Sequence, residues 1–341
     1  MDAVARLAAQ ERDDLFSEAA ARRGLESAII EKDFWVCWTL KRLLVLPQGA
    51  HLVFKGGTSL SKIFGVIQRF SEDIDLSFDR RALGFEGDRD PATAPSRKQA
   101  QQRIEELVAS VQHHIATVLL PALTAAITQE LGPPQHGWAL GLDAADPQTL
   151  VFQYPVGHLG TSSAHAYIRP VVRLELGARG DVWPTMTGTL RPYASEEFPD
   201  HFEHPTCDVV TLAAERTFWE KATILHAEYH RPTRPDLSER LSRHYSDVAS
   251  LAESEHGARA VEQLDLLARV VEHKMLFFSA AWARYDTATP GTLKLVPPDE
   301  RLRELKADYA KMRPMFFTQP PTFDEILERL RQLERRINDK T

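Results

Sequence analysis

The sequence predicts an α+β fold in which a small mixed sheet in the N-terminal part is followed by a mainly helical C-terminal part. Three observations carry this. A short apolar run, His51-Leu52-Val53-Phe54, reads as a buried strand broken by Gly56-Gly57. A second run, Asp73-Ile74-Asp75-Leu76-Ser77-Phe78, alternates polar and apolar residues as a half-buried strand does. From Val209 onward the apolar spacing is almost entirely helical, interrupted at 231–236 and 286–300. The two parts divide near residue 205, giving 1–205 and 206–341.

The elements follow in order. Residues 2–23 read as an Ala- and Arg-rich amphipathic helix. A second helix runs from Glu26 to Leu46, with Ile30, Cys37, Leu40 and Leu44 at helical spacing, and Pro47 ends it. After the first strand, Thr58 is placed to cap a helix from Ser59 to Phe64. Residues 82–97, rich in Gly, Asp, Pro and Arg, read as a mobile loop. A long helix follows over 98–130, and Pro133-Pro134 stops it. Two further strands are expected at Thr149–Tyr154 and Tyr167–Leu176, then a turn-rich stretch over 180–205.

Composition narrows the function classes. A chain of 341 residues can bury a large core and build two domains. A net charge of −7 provides no global positive field, so any nucleic-acid contact must come from local basic patches. The two cysteines, Cys37 and Cys207, have no zinc-site spacing and read as buried free thiols in a reducing cytosol. The polar N-terminal stretch lacks the apolar core of a signal peptide, and no window approaches a transmembrane span. A cytoplasmic monomer with no membrane contact is expected.

The chemistry concentrates in Phe54-Lys55-Gly56-Gly57-Thr58-Ser59 and in Ser71-Glu72-Asp73-Ile74-Asp75-Leu76. Residues i and i+2 of a strand share a face, so Asp73 and Asp75 carry two carboxylates side by side, roughly 6–7 Å apart along the strand. Like charges at that spacing are unfavourable unless a cation lies between them. Mg²⁺ takes hard oxygen ligands of this kind, with phosphate oxygens completing its shell. Ile74 and Leu76 point the other way, into a core. The Gly56-Gly57 turn ahead of a helix offers backbone N–H groups to phosphate. Each feature alone also fits a bland reading, two surface aspartates on an edge strand and a tight turn. Their order together resembles the layout of the polymerase-β-like nucleotidyltransferase superfamily. The P-loop, dinucleotide-binding and zinc-protease patterns are absent: His226 and His230 stand four apart, but Ala227 occupies the place of the required glutamate. Both histidines read as surface or polar-core residues.

The stretch from Phe54 to Leu76 resembles the first motif of the AbiEii/MenT-type nucleotidyltransferase-like toxin family. Three other stretches resemble that family in the same order: Glu31-Lys32-Asp33-Phe34-Trp35, Leu212 to Lys221, and Arg243-His244-Tyr245-Ser246-Asp247-Val248. By this resemblance Ser71, Asp73, Asp75, Lys221 and Asp247 are active-site positions, with Lys221 and Asp247 contributed by the helical part. Asp73 and Asp75 would hold Mg²⁺ (or Mn²⁺), and Lys221 would contact the triphosphate of an NTP. The resemblance also implies a toxin that moves a nucleotide to an RNA acceptor, the 3′ end of tRNA in some members, with an AbiEi-type antitoxin as partner. The span from Gly57 to Asp73 is longer than the superfamily's common spacing, which leaves open which residues there touch phosphate.

Other positions carry two readings each. Glu175, a charge in the apolar run 171–176, fits the superfamily's third carboxylate as a metal ligand, or an edge-strand glutamate paired with Arg173. Lys221 shares a helix face with Phe218 and Leu225, where a lysine is either paired, functional or snorkelling. Asp247 orients Lys221 or assists the metal, or else sits on a helix surface. Lys55 and Ser59 reach phosphate, or serve as a strand-end lysine and a helix cap. Arg69 meets phosphate or Glu72. Glu31, Lys32 and Asp33 read most simply as a charged helix face. Two alternatives to nucleotidyl transfer remain: a non-catalytic RNA- or partner-binding protein on this scaffold, and a kinase-like phosphotransferase. The catalytic base is left undecided among the carboxylates.

Overall fold

The structure, a computed structural model, describes residues 1–157, 168–232 and 238–340. The expected strand start at Tyr167, and residues 233–236 of the expected helical interruption, lie outside the described residues. The chain forms two compact units. One comprises Met1–Ile63 with Phe70–Thr211; the other comprises Phe64–Arg69 with Leu212–Thr341. The six-residue piece 64–69 thus leaves the first unit and belongs to the second.

The first unit is built on a seven-stranded mixed sheet. Its strands are β1 (Leu52–Lys55), β2 (Asp73–Phe78), β3 (Ala139–Leu142), β4 (Thr149–Gln153), β5 (Val171–Gly177), β6 (Thr185–Leu190) and β7 (Cys207–Leu212), in the order β3-β4-β5-β2-β1-β7-β6. β2 pairs antiparallel with β1 and parallel with β5. The two-residue period sorts side chains cleanly. Phe54, Ile74, Leu76, Phe152 and Leu174 are fully buried on one face. Lys55, Asp73, Asp75, Arg173 and Glu175 stand on the other, half-exposed. β3 and β6 escape the sequence reading because they are edge strands whose residues stay largely exposed, so burial imposes no alternation on them. β7 is missed for a different reason. Its apolar residues run straight into the next helix and share its hydrophobic content.

Helix α3 (Ser27–Leu44) covers the apolar face and is buried along most of its length. Trp35 and Trp38 meet Phe152 at ring distances of 6.1 and 6.0 Å, and Trp35 stacks on Tyr154 at 5.5 Å. The expected helix over 2–23 is two helices, α1 (Asp2–Ala5) and α2 (Ala9–Arg23). The break falls at Ala8, whose extended backbone N–H donates to the Glu11 carboxylate at 3.0 Å. The expected loop at 82–97 is folded into three short 3₁₀ turns around a buried Phe85, and Asp79 and Asp90 cap two of them. Helix α4 is Gly56–Lys62, so Lys55, not Thr58, holds the capping position.

The long helix is α5 (Arg97–His114), which continues through a wider turn at Ile115–Leu119 into α6 (Leu120–Leu131). By length and composition alone this helix could cross a membrane, its most apolar window having a mean hydropathy of 1.3 with 28% of that window buried. The expectation that no window approaches a span is corrected accordingly. Within the unit, the stripe Ile115, Leu119, Leu123 and Ile127, at fourfold spacing, is fully buried. A short helix α7 (Tyr193–Glu197) follows β6.

The second unit is helical. It contains α8 (Ala214–His230), α9 (Ser242–Ala252), α10 (Glu255–Glu262), α11 (Leu264–Phe277), α12 (Leu302–Lys311) and α13 (Phe323–Asn338). α8 is central: the Trp219 indole N–H donates to the Ala260 carbonyl at 3.1 Å and the Lys274 ammonium to the Glu220 carbonyl at 2.8 Å. The piece 64–69 is fastened to this unit by a β-bridge between Arg69 and Phe316, by the Phe317 N–H donating to the Gln68 carbonyl at 3.1 Å, and by the Phe64 and His256 rings, 5.0 Å apart.

Candidate active site

In the sheet unit, the parallel and antiparallel registers align Lys55, Asp75 and Glu175 in one row across β1, β2 and β5. Asp73 lies in the next row beside Arg173. Gly56 takes a left-handed backbone, φ 77°. A Cβ built there would fall 1.9 Å from Oδ2 of Asp75, so the glycine provides the space the carboxylate fills. The hydroxyls beside it are already committed. Thr58 Oγ1 donates to the carbonyls of Asp73 at 2.5 Å and Ser71 at 3.2 Å, and Ser59 Oγ donates to the Gly56 carbonyl at 3.0 Å. Both are buried. The Thr58 bonds tie α4 to the start of β2 and the Ser59 bond stays within α4, so both side chains serve the backbone.

Two half-exposed carboxylates on one strand face, one of them seated over a glycine, fit a divalent cation that draws its remaining ligands from phosphate and water. Among the described residues, no group of three or more His, Cys, Asp or Glu side chains is arranged to hold a metal. Glu175 faces the same side as Asp75, with Arg173 Nε 3.7 Å from its carboxylate, and Arg173 itself is held by Asp143 at 2.6 Å. β5 is interior in the sheet, between β4 and β2, and not an edge strand.

The charged trio of α3 is not a solvent-facing surface: Glu31, Lys32 and Asp33 are all buried. Lys32 Nζ donates to Glu72 Oε2. Lys62 Nζ donates to Asp33 Oδ1 at 2.7 Å, and the Tyr193 N–H donates to Asp33 Oδ2 at 2.6 Å. Burial opposes the charge on Lys62, but Asp33 beside it prevails and raises the ammonium pKa. For Glu31, burial and then the like charge of Asp13 push the carboxyl up to about 7, against the pull of Arg12. Buried Cys37 and Cys207 are free thiols, as expected.

In the helical unit, Asp247 sits at the centre of a buried charge cluster. Arg69 grips it with both arms, Nε to Oδ1 at 2.9 Å and Nη2 to Oδ2 at 2.8 Å. The carboxylate that Arg69 grips is thus that of Asp247, while Glu72 is held by Lys32. Lys221 Nζ lies 3.0 Å from Oδ2 of the same carboxylate and 3.4 Å from His244 Nδ1. Phe218 and Leu225, on the same face of α8 as Lys221, are buried. Burial alone would raise the Asp247 pKa, but the charges of Arg69 and Lys221 outweigh it and hold the carboxyl well below the usual range. Burial, then Lys221 and Arg243, push His244 well below the ordinary histidine value, so its neutral ring can accept from the ammonium. A cleft of about 550 Å³ opens beside Arg69 and Asp247, with Phe64, His256, Phe316 and Arg329 among its walls. His226 belongs to the polar core: buried, it accepts the Lys294 N–H at Nδ1 and donates from Nε2 to the Arg284 carbonyl, and burial lowers its pKa to about 4.

The family described as nucleotidyl transferase AbiEii toxin, type IV toxin–antitoxin system, matches residues 38–329. Among solved structures, MenT4, a nucleotidyltransferase toxin from Mycobacterium tuberculosis H37Rv, is similar at 15% sequence identity over 88% of this chain and 98% of that chain, with a TM-score of 0.35. No curated protein matches the sequence.

Proposed function

The chain belongs to the AbiEii nucleotidyl transferase toxin family, and from that premise we propose that it moves a nucleoside monophosphate from an NTP to an RNA acceptor, the 3′ end of tRNA, with the help of a divalent cation. The protein is a nucleotidyltransferase of a toxin family, and a cognate antitoxin is part of the same proposal. An AbiEi-type protein is the antitoxin this reading expects.

One observation carries the metal assignment: the Asp75 carboxylate seated over Gly56, two residues from Asp73 on the same half-exposed face. Asp73 and Asp75 would hold Mg²⁺ or Mn²⁺, with Glu175 as the candidate third carboxylate. When bound, the cation supplies charge neutralisation at the phosphates and lowers the pKa of the attacking hydroxyl. Lys55 and the Gly56-Gly57 backbone serve the triphosphate, as does Ser71, two residues before Asp73 in sequence. Lys221 is proposed to act on the triphosphate as well, and Asp247 to aim it. The acceptor hydroxyl attacks the α-phosphorus, the α–β bridge bond breaks, pyrophosphate leaves, and the hydroxyl proton passes to a base or to solvent.

The test is to incubate the protein with each NTP labelled at the α- or the γ-phosphate, together with total tRNA. Label from the α position on RNA, absent with Asp75→Asn or excess EDTA, is the expected result. Label only from the γ position would replace this reading with a phosphotransferase. RNA retention without any label would replace it with a binding protein. In cells, growth arrest on expression should disappear with Asp75→Ala; arrest that persists in that variant would separate toxicity from nucleotidyl transfer.

A further inference from the structure

We propose that Lys32 and Asp33 of α3 are positioning residues that lock the register of the aspartate strand; this rests on the metal reading of Asp73 and Asp75 given above. Each fastens one end of the chain's excursion out of the sheet unit. The chain leaves that unit after Ile63 and returns at Phe70. Lys62, the last residue of α4, is held by Asp33 at 2.7 Å, and Glu72, the residue before Asp73, is held by Lys32. The two anchors are neighbours on a helix that is itself fixed to the apolar sheet face by Trp35 and Trp38.

The need for a lock follows from strand geometry. A slip of one residue along β2 would turn Asp73 and Asp75 into the core and bring Ile74 and Leu76 to the polar face. The excursion 64–69 is fastened to the helical unit by backbone and side-chain bonds, so it can transmit displacement into the strand it precedes. Glu72 has the parity of Ile74 and Leu76, so its carboxylate points to the α3 side, where Lys32 waits. Both pairs are almost completely buried, with side-chain exposures of 3% and 9% for Lys32 and Glu72 and of 7% and 1% for Lys62 and Asp33. Buried ion pairs seldom surpass apolar packing in stability; their contribution is that only one pairing satisfies both charges. Thr58 closes the remaining side by bonding to the Ser71 and Asp73 carbonyls. The strand is thus gripped immediately before and at its first aspartate.

The experiment uses the full chain and two readouts. Mn²⁺ affinity is read by electron paramagnetic resonance, and label transfer from a mixture of α-labelled NTPs to total tRNA is read at limiting and saturating NTP. Lys32→Met and Glu72→Gln should each weaken Mn²⁺ binding about tenfold and lower the saturating rate about 10- to 100-fold, the range typical when a metal ligand loses its support. KM for the NTP mixture should stay within about threefold, because the groups that serve the triphosphate are untouched. The charge-swapped pair Lys32→Glu with Glu72→Lys should recover part of both losses. Folded single variants with wild-type Mn²⁺ affinity and rate would overturn the proposal. Loss of cooperative melting in both Lys32→Met and Glu72→Gln would also overturn it, by assigning the pair to stability alone. Asp75→Asn separates the two levels: if it binds Mn²⁺ and transfers label like the wild type, the metal reading fails, and the inference with it.

Discussion

The Asp75 carboxylate occupies the space in which any side chain at position 56 would begin, 1.9 Å from a Cβ built on Gly56. Gly56 also holds φ at 77°, a region that costs an L-residue roughly 1–2 kcal/mol. Gly56→Ala should therefore displace the carboxylate as well as strain the turn. The expected outcome is at least tenfold weaker Mn²⁺ binding together with a loss of about 1–3 kcal/mol in unfolding free energy. Calorimetric metal titration and denaturant unfolding of the variant measure both. Unchanged metal affinity would mean that the seat over Gly56 has no part in binding.

The fork of Arg69 on Asp247 makes a separate prediction about stability. Removing the carboxylate leaves a guanidinium and the Lys221 ammonium buried together without their anion. Asp247→Ala should cost about 3–5 kcal/mol, the scale for breaking a buried ion pair on one side. The pH dependence has a definite sign. Asp247 titrates lower in the folded chain than the ordinary carboxylate value near 3.9, so its contribution is present above that value and is lost as pH falls below it. The stability difference between wild type and Asp247→Asn should be largest near neutrality and shrink below about pH 4. A gap that stays constant through the acid range would contradict the assignment.

Sequence patterning exposes what local chemistry determines and hides what distant partners determine. The aspartate strand was legible because Ile74 and Leu76 must be buried while Asp73 and Asp75 must not, and its observed bounds, Asp73–Phe78, are those the alternation predicts. The inward aim of Lys221 was legible from Phe218 and Leu225 at helical spacing. Arg69 was not: its partner lies 178 residues along the chain, and no periodicity links them. Glu31, Lys32 and Asp33 look in sequence like a charged face because three adjacent charges ordinarily mean solvent. They are buried because two of them have partners, Glu72 and Lys62, that only the folded sheet brings near. β3 and β6 stayed hidden since an exposed edge strand need not alternate.

Glu31 supplies a stability prediction of the opposite sign. Its folded-state pKa of about 7 lies above the ordinary value of 4.5, first because of burial and then because of Asp13. The protonated form is favoured by folding, so this contribution is full below about pH 4.5 and is lost as pH rises through 7. Glu31→Gln, neutral at every pH, should gain on the wild type as pH climbs from 5 to 7 and level off above, by up to about 3 kcal/mol. Thermal melting of both proteins across that range checks it. A difference independent of pH would show that Glu31 is not titrating there.

The last prediction concerns Lys221, whose ammonium meets Asp247 at 3.0 Å in the free protein. Its removal differs from that of Asp247, because Arg69 still holds the carboxylate through two hydrogen bonds at 2.9 and 2.8 Å. Lys221→Met leaves no buried charge unpaired, so it should melt close to the wild type. If the ammonium neutralises charge that develops on phosphate, its loss should still lower the transfer rate on the order of 10²-fold, the usual scale for deleting one preorganised electrostatic contact. Lys221→Arg should recover little, since a planar fork does not reproduce a compact point charge, and His244 Nδ1 at 3.4 Å leaves little room for it. Transfer rate and NTP affinity of both variants, with melting curves beside them, make the measurement. Near-native kinetics in Lys221→Met would assign the lysine to the Asp247 cluster as a structural cation, and so would a variant that simply unfolds. The proposed contribution of the helical unit to catalysis would then rest on some other residue.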